Sequence, residues 1–258
     1  MKIYVQSRGY SQDYDYCWQP EAPLILKKNG VNNLIQSESP SVVLARYDGE
    51  LILLVTGLEA SERTDFRGRK IRNSVAWVVA DTEDNERKLR GIAAYALRDL
   101  LKDDIDKAVQ FGGEYGFEVA FDGIRQLYID EARDFDPKID SKLGKNSEFL
   151  KNDLAYELEE RSLPKGNGFS NTPLVVVTGI KSESALMQAG VWRGLSNLVQ
   201  AEGWKDPYKK SPALNEAVAK SSQTDKQKNT ITFLMLFFVL IAGGIILFLL
   251  LFQVKPKL

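Results

Sequence analysis

Ser41 to Thr56 reads SVVLARYDGELILLVT, two apolar runs on either side of Asp48-Gly49. Asp-Gly supplies the two positive-φ residues that a tight hairpin turn needs, so the stretch predicts antiparallel strands over Ser41–Tyr47 and Glu50–Thr56. Ile71–Ala80 (IRNSVAWVVA) reads as a further buried strand, and Lys2–Gln6 and Leu174–Val177 as shorter ones. Tyr14, Tyr16 and Trp18 alternate with Asp13, Asp15 and Cys17, which suits a half-buried strand or a tight aromatic loop. Between the strands the period changes. Leu89, Ile92, Ala93, Ala96, Leu97 and Leu100 recur at three- and four-residue steps and predict an amphipathic helix over Asp84–Lys102. Asp81, Glu83 and Asp84 suit its N-terminus. Weaker helical patterns cover Asp122–Arg133 and Glu148–Arg161. Ser182–Glu202 is expected to be a helix with Trp192, Leu195 and Val199 inward and with Gly190 and Gly194 allowing close packing on the sheet. Hairpins combined with strand–helix units predict an α/β domain, a mixed sheet with flanking helices, over residues 1–204. Val55-Thr56-Gly57-Leu58 is echoed by Val177-Thr178-Gly179-Ile180, each at the end of an expected strand.

Composition narrows the chemistry. The 258 residues contain 44% hydrophobic and 27% charged side chains, ordinary globular proportions. There is no histidine, which removes imidazole acid–base catalysis, Ser-His-Asp and Cys-His pairs and histidine metal ligation within this chain. Cys17 is the only cysteine, so no intrachain disulfide, zinc cluster or iron–sulfur site can form. Catalysis would have to rest on Asp, Glu, Lys, Tyr, Ser or Thr, or on a hard cation held by carboxylates. The 34 Lys+Arg and 35 Asp+Glu give a net charge of -1, which disfavours nucleic acid as the partner.

The C-terminal part is of a different kind. Ile231–Phe252 (ITFLMLFFVLIAGGIILFLLLF) carries no charge, and Thr232 is its one polar side chain. About 20 apolar residues in a helix cross a hydrocarbon layer of roughly 30 Å, so a transmembrane helix over 230–253 is expected. Only the short basic tail 254–258 follows in this sequence, which predicts a tail anchor inserted in the lipid bilayer. Lys209, Lys210, Lys220, Lys226 and Lys228 precede the span against Lys255 and Lys257 after it, favouring a single-pass protein with a cytoplasmic N-terminal domain. Residues 205–229, with Pro207, Pro212 and a Ser/Lys/Gln bias, read as a polar flexible linker. Phe233, Phe237, Phe248 and Phe252 share a helical face with Gly244, a surface that would support a homo-oligomer.

Arg63, Arg67, Arg69, Lys70 and Arg72 fall together around Gly68 in an expected loop leading into the third strand. Arginine binds phosphate or carboxylate bidentately, so the group is the first candidate for an anionic ligand. Thr178, Gly179, Lys181 and Ser182 form the second, a strand-to-helix turn of the sort that holds anions at the end of an α/β sheet. It is not a Walker A loop, because Leu174 stands where the first glycine would be. The acidic run Asp130–Asp140 lacks the EF-hand order. Tyr10, Tyr14, Tyr16 and Trp18 would serve as a stacking surface or as core.

These features predict a membrane-anchored, non-enzymatic sensor, adaptor or effector that binds an anionic small molecule or a protein partner, with no cofactor. In architecture alone the arrangement resembles membrane effectors of bacterial immune signalling, in which ligand binding clusters the anchors. The alternatives are a metal-dependent enzyme on a phosphate-containing substrate, with Asp65 or an acid from 130–140 as metal ligand, and a structural factor recruiting a complex to the membrane.

Overall fold

The apolar runs become the strands of one sheet. In chain order the strands are β1 (Lys2–Ser7), β2 (Cys17–Gln19), β3 (Ser41–Tyr47), β4 (Glu50–Thr64), β5 (Lys70–Ala80), β6 (Val109–Phe111), β7 (Phe117–Val119), β8 (Lys142–Lys145), β9 (Thr172–Thr178) and β10 (Arg193–Ser196). The computed structural model describes residues 1–28, 30–36, 38–127, 132–166 and 168–209. Among these, β6 and β7 form a hairpin of their own, and the other eight strands lie in the order β2-β1-β5-β4-β3-β9-β10-β8. Asp48 and Gly49, with φ of 49° and 77°, close the β3–β4 hairpin at the expected place. Neighbours are antiparallel from β2 through β9; β9, β10 and β8 are parallel to one another.

Strand periodicity divides the core in two. Val42, Leu44, Leu51, Leu53, Val55, Val75 and Trp77 join one buried cluster, while Val43, Ala45, Ile52, Leu54, Ala76 and Val78 join another. Both faces are therefore covered, which is why the central strands read as continuous apolar runs rather than as alternation. The first face carries α2 (Glu83–Leu97), α3 (Leu101–Ala108) and α5 (Glu148–Glu160); the second carries α1 (Leu24–Lys28), the 3-10 turn Val31–Leu34 and α6 (Glu183–Gln188). A short helix, α4 (Phe121–Arg125), adds Ile124 to the first core. The links β8–α5–β9 and β9–α6–β10 run in opposite directions on opposite faces and so share one hand.

Several expectations need correction. The helix expected over Asp84–Lys102 is two helices: Asp99 takes φ 59° and its N–H donates to the Ala96 carbonyl, so an aspartate fills the left-handed position that usually holds glycine. The helix expected over Ser182–Glu202 stops at Gln188. Gly190 has φ 69°, and Arg193 to Ser196 then enter the sheet, where Arg193 pairs with Lys142 on one side and Val175 on the other. Trp192 and Leu195 are buried as expected, but from the bend before β10 and from β10 itself. Within Asp122–Arg133 the described helix is Phe121–Arg125, and 128–131 lie outside the described residues. β4 continues to Thr64, past the expected Thr56.

Buried arginines tie the irregular chain to this frame. Arg90 donates to the carbonyls of Arg133, Leu158 and Arg161 at 2.7–2.9 Å and pairs with Asp134 and Glu86. Arg46 holds Asp81, Glu86 and the Pro164 carbonyl. Arg193 forks onto both Glu157 oxygens at 2.7 Å. The chain divides into the units Met1–Pro207 and Tyr208–Leu258. No helix among the described residues is long and apolar enough to cross a membrane, and the expected span Ile231–Phe252 lies outside them.

Candidate functional site

The expected arginine loop is in fact two strand ends and a turn. Arg63 lies in β4, one residue before its end, Lys70 and Arg72 belong to β5, and only 65–69 bend between them. The turn is organised by Asp65, whose Oδ1 accepts from the backbone N–H of Arg67 (2.9 Å) and Arg69 (3.0 Å), while its Oδ2 accepts from Arg69 Nε at 2.8 Å. Burial works to raise the pKa of this carboxyl, but the Arg69 side chain and the two N–H donors together hold it below the usual range.

The cations of the cluster have unequal roles. Arg63 is buried, donating to Ser7 Oγ at 3.2 Å and Asn73 Oδ1 at 2.8 Å with Asp106 beyond, and it lies over the Phe111 ring. It ties β1, β5 and α3 together. Arg67 is exposed, with its guanidinium over Phe66. Arg69, 60% exposed, pairs with Asp65, and Lys70 donates to the Ser61 carbonyl. Arg72 reaches the Glu38 carbonyl at 2.5 Å and Glu59 at 3.4 Å, and its backbone N–H donates to the Tyr16 hydroxyl. Burial raises the pKa of that phenol, against the Arg72 bond, which lowers it.

Arg69, Lys70 and Arg72 line a cavity of about 370 Å3, completed by Arg8, Tyr16, Glu38, Glu59 and Asp65. Sequence reading missed Arg8. It stands just past β1, and the antiparallel pairing of β1 with β5, Gln6 opposite Ser74, carries it to the level of Arg72. A pairing across so many residues leaves no local signal.

The Arg72–Glu59 pair also borders a second cavity of about 400 Å3. Its floor is apolar, from Val42, Val55, Leu97 and Val177, and its rim carries Lys102, Lys151, Asp99 and Asn146. Gly57 builds one wall. At φ 73° it lets Ser39-Pro40 cross so closely that a Cβ there would lie 2.3 Å from the Pro40 nitrogen, and Thr56 Oγ1 donates to the Ser39 carbonyl at 2.7 Å. The two Val-Thr-Gly echoes meet at this edge: Thr56 stands opposite Ser41, and Val177 opposite Val42 on the other side of β3.

The second sequence candidate is not joined to the first. Thr178 is buried, its carbonyl accepts from Asn146 Nδ2 at 3.4 Å, and its Oγ1 accepts from the Ile180 N–H. Gly179 lies against the Asn197 amide, and Ser182 caps the six-residue α6. Lys181 turns to the opposite face, into an open cavity of about 660 Å3 beside Tyr47, Asp48 and Asn171. Tyr10 and Tyr14 are exposed, and Trp18 packs against the second core. Among the described residues no three acidic or cysteine side chains converge to hold a metal ion; Asp130 and Glu131 lie outside them. Asp134 and Asp140 are ion-paired to Arg90 and Lys142. No protein-family model, curated protein or solved structure matches this chain.

Proposed function

We propose that this chain is a single-pass membrane protein, anchored through Ile231–Phe252, whose α/β domain faces the cytoplasm and binds an anionic ligand as a sensor, adaptor or effector. The observation that carries the binding part is the meeting of the two cavities at Arg72, with Arg8, Arg69 and Lys70 on one side and Lys102 and Lys151 on the other. Cations gathered on concave walls concentrate an anion from solution, and a low-dielectric floor strengthens the attraction once it is bound. The anchoring part is supported by the uncharged apolar run and the lysine excess before it.

The metal-dependent alternative draws less support. Asp65, its named ligand, has both oxygens engaged by the turn it organises. For the recruiting alternative the relevant feature is an exposed aromatic pair, Tyr10 and Phe111, edge-to-face with ring centres 6.3 Å apart.

The full-length chain in detergent tests the reading. Thermal-shift measurements against phosphate, nucleotides and dicarboxylates should give at least one saturable stabilisation that weakens about tenfold in Arg69→Gln/Arg72→Gln. Stabilisation of equal strength in the variant would remove these cavities as the site.

A further inference from the structure

Every other deeply buried arginine in the described chain has its guanidinium engaged through hydrogen bonds from at least one of its terminal nitrogens. Arg46, Arg63, Arg90 and Arg193 each donate at least two hydrogen bonds to carbonyls, carboxylates or side-chain oxygens. Arg8 is 7% exposed, and its side chain makes no hydrogen bond to a described residue. Its Nε is buried without a hydrogen-bond partner, as are those of Arg46, Arg63 and Arg90, but unlike theirs its terminal nitrogens make no hydrogen bond either. Its closest charged neighbour is Asp65 Oδ2, 3.7 Å away, and that oxygen already accepts from Arg69. Its planar head is instead held by the rings of Tyr16 and Phe66, 5.6 and 6.0 Å from their centres. A guanidinium carries five N–H donors; at Arg8 the Nε donor is buried and unmet, which is costly, and the terminal nitrogens have no hydrogen-bond partner among the described residues. The head lines the cavity of about 370 Å3, so an occupant of that cavity can meet those donors.

We infer that this cavity is a phosphoryl-binding site with Arg8 as its anchor, and that its ligand is a phosphorylated small molecule bearing hydroxyl or amino groups. The inference rests on the anion-binding reading above and narrows it. Arg8, Arg69, Lys70 and Arg72 approach from the end of β1, the 65–69 turn and β5, and a tetrahedral group with three free oxygens can accept from several forks at once, where a planar carboxylate offers two oxygens. Glu38 and Glu59 line the same cavity and would repel a purely anionic molecule, so the ligand also needs hydrogen-bond donors. The Glu59–Arg72 pair, 3.4 Å long and half exposed, stands between this cavity and the apolar-floored one. Transfer of Arg72 from Glu59 to the phosphoryl group frees the Glu59 carboxylate to accept from a hydroxyl or amine. The organic part then lies over Val42, Val55, Leu97 and Val177, in a volume of about 400 Å3 that suits a small metabolite.

The test uses the full-length chain in phosphatidylcholine nanodiscs, with inorganic phosphate, AMP and adenosine as probes and thermal midpoint as readout. Phosphate and AMP should stabilise saturably, AMP more strongly, and adenosine should not. Arg8→Gln should weaken both responses at least about tenfold. Should Arg8→Gln fail to fold, Arg8→Lys keeps the charge but loses the fork, and the same loss is expected from it. No response to millimolar phosphate or AMP overturns the proposal. A response lost in Arg69→Gln/Arg72→Gln but intact in both Arg8 variants overturns the Arg8 site while the broader anion reading stands; a response intact in all variants overturns both. Stabilisation that appears only when phosphatidic acid is built into the discs overturns the small-molecule assignment and makes the cavity a lipid-headgroup site.

Discussion

Asp65 is the carboxylate on which the cationic turn depends, and its chemistry gives a pH signature. Its folded pKa lies below the usual range, so the unfolded chain takes up the proton first as pH falls. The stabilisation is therefore complete above the unfolded value of about 3.9 and is lost as pH drops through the folded one. Thermal denaturation should show Asp65→Asn less stable than the wild type at neutral pH, with the gap closing below about pH 4. A gap that stayed constant with pH would show that the carboxylate charge is not what organises the turn. Gly57 makes a steric prediction at the neighbouring cavity. Gly57→Ala places a methyl group 2.3 Å from the Pro40 nitrogen in a backbone conformation that alanine resists. Urea titration should show a loss of about 2–3 kcal/mol. A loss under about 0.5 kcal/mol would mean that the Ser39-Pro40 crossing relaxes freely.

The strand β10 and the helix α5 it packs against are joined by a buried ion pair, and the pair predicts costs of different size for single and double changes. Glu157→Gln leaves the buried Arg193 guanidinium with half its partner and should cost about 3–5 kcal/mol in urea titration. Arg193→Met/Glu157→Leu removes both charges and should cost less than either single change. Additive costs would instead mean that the two side chains act independently. The same strand shows where sequence patterns stop being informative. The β3–β4 hairpin was legible because Asp48-Gly49 and the flanking runs agree on one geometry, and α5 because Ser147 caps it and Leu150, Leu154 and Leu158 keep helical spacing. β10 was not: Trp192, Leu195 and Val199 fit a helical stripe, while Arg193 is drawn inside by Glu157, a partner set by tertiary contact. The Asp99 break was hidden likewise, since aspartate seldom takes the position that glycine favours. At the site, the cluster Arg63–Arg72 was legible as a concentration of charge. Its division into the pinned Arg63 and the accessible Arg69 and Arg72 depends on Asp106, Ser7 and Asn73, and Arg8 depends on strand pairing.

For the molecule entire, the proposal joins a folded part, residues 1–204, in which 32 Asp+Glu outnumber 26 Lys+Arg, to a segment with no charge. A net negative charge gives no general attraction to an anionic bilayer, so in this proposal lasting attachment comes from transfer of Ile231–Phe252 into hydrocarbon. That transfer is sensitive to a single kind of change. An arginine at the centre of a spanning helix costs about 2.5–3.5 kcal/mol on insertion, and two such residues roughly double it. The wild-type chain expressed in cells should stay with the vesicles through a carbonate wash, and Ile241→Arg/Ile245→Arg should shift a large share to the supernatant. The folded domain gives the control: phosphate-dependent thermal stabilisation of the released variant should match that of the wild type, because the cavity at Arg8 and Arg72 draws every described lining residue from Met1–Pro207. Release of the unaltered chain by carbonate, without aggregation, would separate the two halves of the proposal, leaving a ligand-binding domain whose apolar segment serves some purpose other than anchoring.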